Sequence, residues 1–156
     1  PRGRPWCSPF PGNHDVLFVE KVLQPARRRC RRHRRSKGRV PFHCGASGKA
    51  LLAFGAEALR EGVMAAPLRR RTPWTITDPA RLEAELEQVR AQGYAVDRQE
   101  LVVGYAAVAA PVFVDGVAVA TLTVVGPVER LDVRRLAPVV GAAGRALTRD
   151  VAPVKG

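Results

Sequence analysis

Cysteine is scarce in this sequence, with Cys7, Cys30 and Cys44 the only three. An odd count with no charged-then-apolar signal segment at the start argues against a disulfide framework. Long apolar runs are missing as well. The longest, Tyr105–Val114, is too short to cross a bilayer as a helix. These absences lead us to expect a cytoplasmic protein, without contact to a membrane, and the opening on Pro1 rather than Met is what a fragment would show. Metal-ligand spacing is also lacking. Cys30 and His33, with His43 and Cys44 nearby, have no second C-x-x-C or H-x₃-H pair to complete a structural zinc site. Neither a metal nor a cofactor is expected.

What the chain does have is enough apolar residue for one core: 46% of its 156 residues are hydrophobic. It also has a formal net charge of +12, which taken whole would suggest a polyanionic partner. The distribution corrects that impression. The run "RRRCRRHRRSKGR" (27–39) carries nine positive charges and no acid, so 12 − 9 leaves only +3 for the remainder. The result is a near-neutral domain with one basic insert. That insert has no interleaved aromatics for stacking on bases, so as a nucleic-acid arm it could give only non-specific electrostatic binding.

The chain changes character near Gly38. Residues 1–38 are an irregular segment rich in Pro, Gly and Arg, interrupted by one alternating strand at Asp15–Leu23. Residues 39–156 are patterned throughout. "ASGKALLAFG" reads as a helix with Ser47 as N-cap, Leu51, Leu52 and Phe54 buried and Gly55 as the stop. "AEALREGVMAAP" adds a further turn or two. "TDPARLEAELEQVRAQG" (77–93) is a helix capped by Asp78, begun by Pro79 and ended by Gly93, with Leu82, Leu86 and Val89 along one face. Three strands follow, "YAVDRQELV", "YAAVAAPVFV" and "GVAVATLTVVG", the last two joined through Asp115-Gly116. The middle strand is apolar on both faces and is expected to be covered on both. A closing helix over about 132–149 should bury Val133, Leu136, Val140, Ala143 and Leu147 and expose Arg134, Arg135, Arg145 and Arg149. The fold class is α+β, a mainly antiparallel sheet with helices packed on its faces.

Several constellations could carry chemistry. "GASGKA" lacks the leading glycine and the trailing Ser or Thr of a phosphate loop: His43 and Ala50 stand there instead. It retains a small-residue turn opening a helix, whose free amides and positive dipole end suit a carboxylate. The plainer alternative is a packed helix start with no ligand. His43 and Cys44 are adjacent and have no orienting third group, so they read as a core histidine and a small buried thiol rather than a base and nucleophile. Asp97 and Glu100 interrupt an apolar strand. They belong either on a solvated edge with Arg98 or facing inward, where burial would demand a partner. Paired carboxylates would be the main support for an enzyme. Arg69, Arg70 and Arg71 read as a solvated face.

"VPFHCGASGKALLAF", "PLRRRTPWTITDPARLEAELEQVRAQGYAVDRQELVVG" and "AAVAAPVFVDGVAVATLTVVGP" together resemble the C-terminal effector-binding domain of IclR-family bacterial transcription regulators, from Arg39 to about Val151. The resemblance implies a GAF-like fold and a non-enzymatic function: sensing a small organic acid or aromatic effector. It implies a homodimer or homotetramer, and DNA contact only through an N-terminal helix-turn-helix that these residues do not contain. Position by position it implies that Ala46 and Ser47 hold the ligand carboxylate with backbone amides. Asp97 would be a pocket acid, Thr123 a pocket hydroxyl, and Tyr105, Ala107 and Val125 would shape specificity, the last two making the pocket more apolar. The arginine run departs from the resemblance, since the family has a valine-rich strand there. Arginine CGN codons read one base later become GNC codons for Ala, Val, Gly or Asp, so residues 26–37 are expected to be frame-shifted coding sequence. The alternative function is non-specific nucleic-acid binding through Arg27–Arg39.

Overall fold

The computed structural model describes residues 15–16 and 40–151. The remainder of the strand expected at Asp15–Leu23, the arginine run, Cys7, Cys30 and His33 lie outside the described residues. Asp15–Val16 (β1) pairs antiparallel with Val40–Pro41 (β2), and a single 3₁₀ turn, Phe42–Cys44, follows. Then come helices Ala46–Phe54 (α1), Glu57–Ala65 (α2) and Pro79–Gln92 (α3). Strands Ala95–Arg98 (β3), Tyr105–Val114 (β4) and Val117–Pro127 (β5) precede the closing helix, Val133–Val151 (α4). β3, β4 and β5 form one antiparallel sheet in that order, with β4 central.

Local chemistry explains most of these boundaries. The Asp78 carboxylate accepts the amides of Ala80 and Arg81, so α3 starts where its orphan donors are satisfied. Gly93 ends it in the left-handed conformation, φ 80°, with its amide on the Val89 carbonyl. The β4–β5 hairpin turns at Asp115 (φ 50°) and Gly116 (φ 80°), the pair of positive angles that a tight two-residue turn requires. Asp132 accepts the amides of Arg134 and Arg135 and so caps α4.

The sheet is covered on both faces. On one, α1 lays Ala46 and Ala50 against Ala95, Ala107 and Ala109, with Val89 of α3 beside them. On the other, α4 lays Ala137 and Val140 against Val108 and Ala110. Outside α1, Leu82 and Leu86 of α3 join Phe42, Leu52 and Val63 in a second apolar cluster. β4 is buried from Ala106 to Val112, as a strand with helices on both sides must be.

Four expectations are corrected. Gly45, not Ser47, is the N-cap of α1, and no side chain caps it, because the helix already begins at Ala46 and the Ser47 hydroxyl is used elsewhere. Leu51 and Phe54 are only partly buried, since α1 turns Leu52 inward. The strand expected through Val102 ends at Arg98: Gln99 takes a left-handed φ of 64° and its side-chain oxygen accepts the Gly104 amide, closing a turn. The buried face of α4 is rotated from the expected stripe towards Ala137, Val140 and Gly144, leaving Leu147 39% exposed. Gly144 lets this happen by bringing α4 close to Ala110 and Pro111.

Candidate functional site

The residues singled out in the sequence converge on the α1-facing side of the sheet. Antiparallel register places Asp97, Ala107 and Val125 in one row across β3, β4 and β5, with Ala95, Ala109 and Thr123 in the next row on the same face. Tyr105 precedes Ala107 by two residues and extends that face towards the end of β4. The first turn of α1 lies over these rows. The Ser47 and Thr123 hydroxyls are 2.7 Å apart and hydrogen-bonded, and Thr121 stands 3.4 Å beyond. All seven residues therefore belong to one locus, where Ala46, Ser47, Asp97 and Ala107 are buried and Val125 is 58% exposed at the β5 side. The row thus runs from a buried acid, past an alanine, to an open apolar rim.

The start of α1 carries no side-chain cap. The first amides of a helix have no intrahelical acceptor, and here Ala46 and Ser47 are buried and no side chain caps them. A buried, uncapped helix start needs a polar partner, and its dipole favours an anion.

The two acids are not on a solvated edge. Asp97 and Glu100 are buried, at 5% and 7% exposure. The turn after β3 is what turns them inward. Asp97 Oδ1 accepts the Glu100 amide at 2.7 Å. The turn is pinned from the far side by Thr72, which donates to the Gln99 carbonyl at 2.7 Å, and by Thr75, which donates to the Glu100 carbonyl at 2.6 Å. Burial pushes both carboxyls up from their usual range. The backbone amides and the Lys49 ammonium pull Asp97 back, and the same ammonium pulls Glu100 back.

Lys49 is the residue that sequence reading missed. It is fully buried, its Nζ 2.7 Å from Glu100 Oε1 and 2.9 Å from Glu85 Oε1 on α3. The other Glu100 oxygen, Oε2, is buried without a hydrogen-bond partner among the described residues. A signal was present in the sequence: in "ASGKALLAF" every neighbour of the lysine is small or apolar, leaving the helix no polar face to hold it.

His43 and Cys44 are the packed pair expected. His43 is buried and its Nε2–H donates to the Arg69 carbonyl at 2.9 Å, while burial lowers its pKa. Cys44 is fully buried and its thiol is pushed up to about 12, chiefly by burial and then by the Asp97 charge. We expect Cys44 to stay unmodified by iodoacetamide at pH 8 in the folded chain and to react fully in denaturant. Peptide mapping checks this; prompt native labelling of Cys44 would contradict it. Arg69, Arg70 and Arg71 are exposed, as expected of a solvated face. Among the described residues no cluster of three metal-ligating side chains occurs, and no helix is long and apolar enough to cross a membrane.

An antiparallel sheet with α1 on one face and α4 on the other makes this an α+β domain of GAF-like fold. The family model for the bacterial transcriptional regulator IclR C-terminal domain matches residues 12–152. The chain belongs to the IclR family and corresponds to the C-terminal, ligand-sensing domain of those transcription regulators. Among relatives, the HTH-type transcriptional repressor AllR of Salmonella paratyphi A is 39% identical over 122 residues, covering 77% of this chain and 44% of that protein. The HTH-type regulator BhcR of Paracoccus denitrificans is also 39% identical, over 75% of this chain and 44% of its own. In structure, an IclR homologue of Microbacterium hydrocarbonoxydans, complexed with 4-hydroxybenzoate, superposes with a TM-score of 0.71 at 29% identity. The match covers 88% of this chain and 56% of that one. The chain thus spans about half the length of the curated relatives it matches. These relatives are regulators rather than enzymes.

Proposed function

We propose that residues 39–156 bind a small organic acid, aromatic or aliphatic, beside the start of α1 and along the Asp97–Ala107–Val125 row towards its open Val125 end. The observation that carries this reading is the Ser47–Thr123 hydrogen bond, which holds an uncapped helix start over the Ala95–Ala109–Thr123 row, next to that one. The ligand carboxylate would accept the Ala46 and Ser47 amides, with the Thr123 hydroxyl beside it. Asp97 would take a hydroxyl or other donor group of the ligand, and Tyr105, Ala107 and Val125 would set the shape of the remainder. With a methyl at Ala107 and an isopropyl at Val125, the specificity wall is apolar, which suits an aromatic or short aliphatic body. No covalent step is proposed: the Cys44 thiol is held protonated, and Asp97 and Glu100 are engaged with a backbone amide and an ammonium.

Occupancy would be read out by a helix-turn-helix domain, as in the HTH-type regulators to which the chain is similar, and by self-association into dimers or tetramers in the cytoplasm. The structural relative's ligand supplies a first probe. Differential scanning fluorimetry of the 156-residue chain against 4-hydroxybenzoate and a panel of small carboxylic acids is expected to give at least one saturable stabilisation. One hundred-fold excess over Kd corresponds to about 2.7 kcal/mol of linkage. Asp97→Ala should weaken that acid by roughly tenfold or more, the value of a hydrogen bond to a charged group. A panel with no stabilising acid, or a hit indifferent to Asp97, would contradict the proposal.

A further inference from the structure

Lys49 is buried completely in a domain with ample surface, which calls for a reason other than stability. Taking an ammonium and a carboxylate out of water costs several kcal/mol per ion, and well-packed apolar residues can replace such pairs without loss. The surroundings of the lysine point to geometry instead. Its ammonium reaches Glu100 on the turn after β3 and Glu85 on α3, so three elements that are distant in sequence meet at one atom. Lys49 lies two residues after Ser47, in the same short helix whose start faces the sheet. Glu100 lies three residues after Asp97, and its own amide is the donor to Asp97 Oδ1. The charged or titratable groups around this centre are Asp97 from β3, Glu85 from α3, Cys44 from the turn before α1 and Arg71 from the segment between α2 and α3.

We propose that Lys49 is a positioning residue: the Lys49–Glu100 ion pair fixes the start of α1 relative to Asp97 and so sets the span between the two polar walls of the site. This rests on Ala46, Ser47 and Asp97 being those walls. Glu85, at the half-open end of the pair with 28% of its side chain exposed, anchors the lysine to α3 without touching either wall. The unpartnered Glu100 Oε2 fits this division of labour, because the carboxylate is oriented by one strong contact rather than by a full set of donors. An ion pair kept for stability alone would be expected to satisfy both oxygens.

The test is amide hydrogen exchange and ¹H–¹⁵N spectra of the 156-residue chain and its variants. Lys49→Met leaves Glu100 buried and unpaired and is expected to lower Tm by roughly 10 °C or more. Lys49→Met/Glu100→Met removes both charges and should recover most of that loss. The proposal requires that this double variant, though stable again, still exchange the amide at position 100 about tenfold faster than wild type. The amide resonance of Thr123, remote in sequence from both substitutions and hydrogen-bonded through its side chain to Ser47, should also be displaced. A purely structural pair would return both to wild-type values, and that result would overturn the proposal. Should the methionine variants fail to fold, Glu100→Gln and Glu85→Gln decide: the first should loosen the amide at position 100 and shift Ser47, and the second should do neither. Equal effects of the two would also overturn it. Titration with 4-hydroxybenzoate and the acid panel separates the two ideas. Coupling between positions 49 and 100 without any acid shifting Ser47 or Gly48 fails the binding reading and supports the ion pair's mechanical role.

Discussion

Replacing Gly48 by alanine is expected to destabilise the protein by about 3 kcal/mol or more, lowering Tm by roughly 10 °C in a thermal melt. The sign is the informative part, because the same change in an exposed helix interior stabilises by about 1 kcal/mol through helix propensity. Here the helix has no room for it. A β-carbon on Gly48 would collide with the Phe42 carbonyl oxygen and Cα and lie 2.6 Å from the Phe42 carbonyl carbon. These are backbone atoms of the 3₁₀ turn directly before α1, so no side-chain rotation relieves the clash. Either α1 lifts from the sheet or the turn opens, and both break the Ser47–Thr123 contact. Loss of acid binding should therefore accompany the loss of stability. A Gly48→Ala variant that melts at or above wild type would show that α1 does not seat as described.

The second large effect is expected at Ser47. Ser47→Asp brings a covalent carboxylate to the buried helix start, where the dipole and the uncapped amides favour it. It would occupy the seat assigned to the ligand's carboxylate and replace the hydroxyl bonded to Thr123. Two charge-assisted hydrogen bonds, at about 1.5–3 kcal/mol each, would be denied to the ligand, so calorimetry should show affinity for the best acid falling by roughly 100-fold or more. Ser47→Ala, which removes only the hydroxyl, should cost far less. If the two variants bind the acid equally well, its carboxylate does not sit at α1.

Much of this architecture is readable in the amino-acid order, and the parts that are not have specific physical causes. The Asp78–Pro79…Gly93 helix and the Asp115-Gly116 hairpin are dictated by neighbours in sequence: a cap, a fixed φ and a positive φ. The site residues fall together because strand alternation and register follow from the hairpin, with Asp97, Ala107 and Val125 opposite one another. Ser47 satisfies the local rule for a cap because its hydroxyl lies near a helix start, whereas its actual partner, Thr123, is 76 residues away. The turn at Gln99 was missed for a similar reason. Nothing in "DRQELV" demands a left-handed glutamine; the threonines of another loop hold it there. Burial of Lys49 depends on Glu85 and Glu100, which no local pattern connects. The shifted face of α4 follows from Gly144, whose absent side chain rewards close approach over hydrophobic periodicity.

The alanines of β4 make the sheet unusually thin. Ala107 and Ala109 meet α1, and Val108 and Ala110 meet α4 on the reverse. Along β4 itself only methyl and isopropyl groups stand between the two helices, with Tyr94, Val124 and Leu136 packed around them on the α4 side. A shift of α1 on binding would press through the strand rather than be absorbed by it. α4 would feel it, and α4 already presents Val139, at 64% exposure, and Leu147 to the outside. An event at the start of one helix would then be felt, across a single strand, at an apolar surface on the opposite side of the domain.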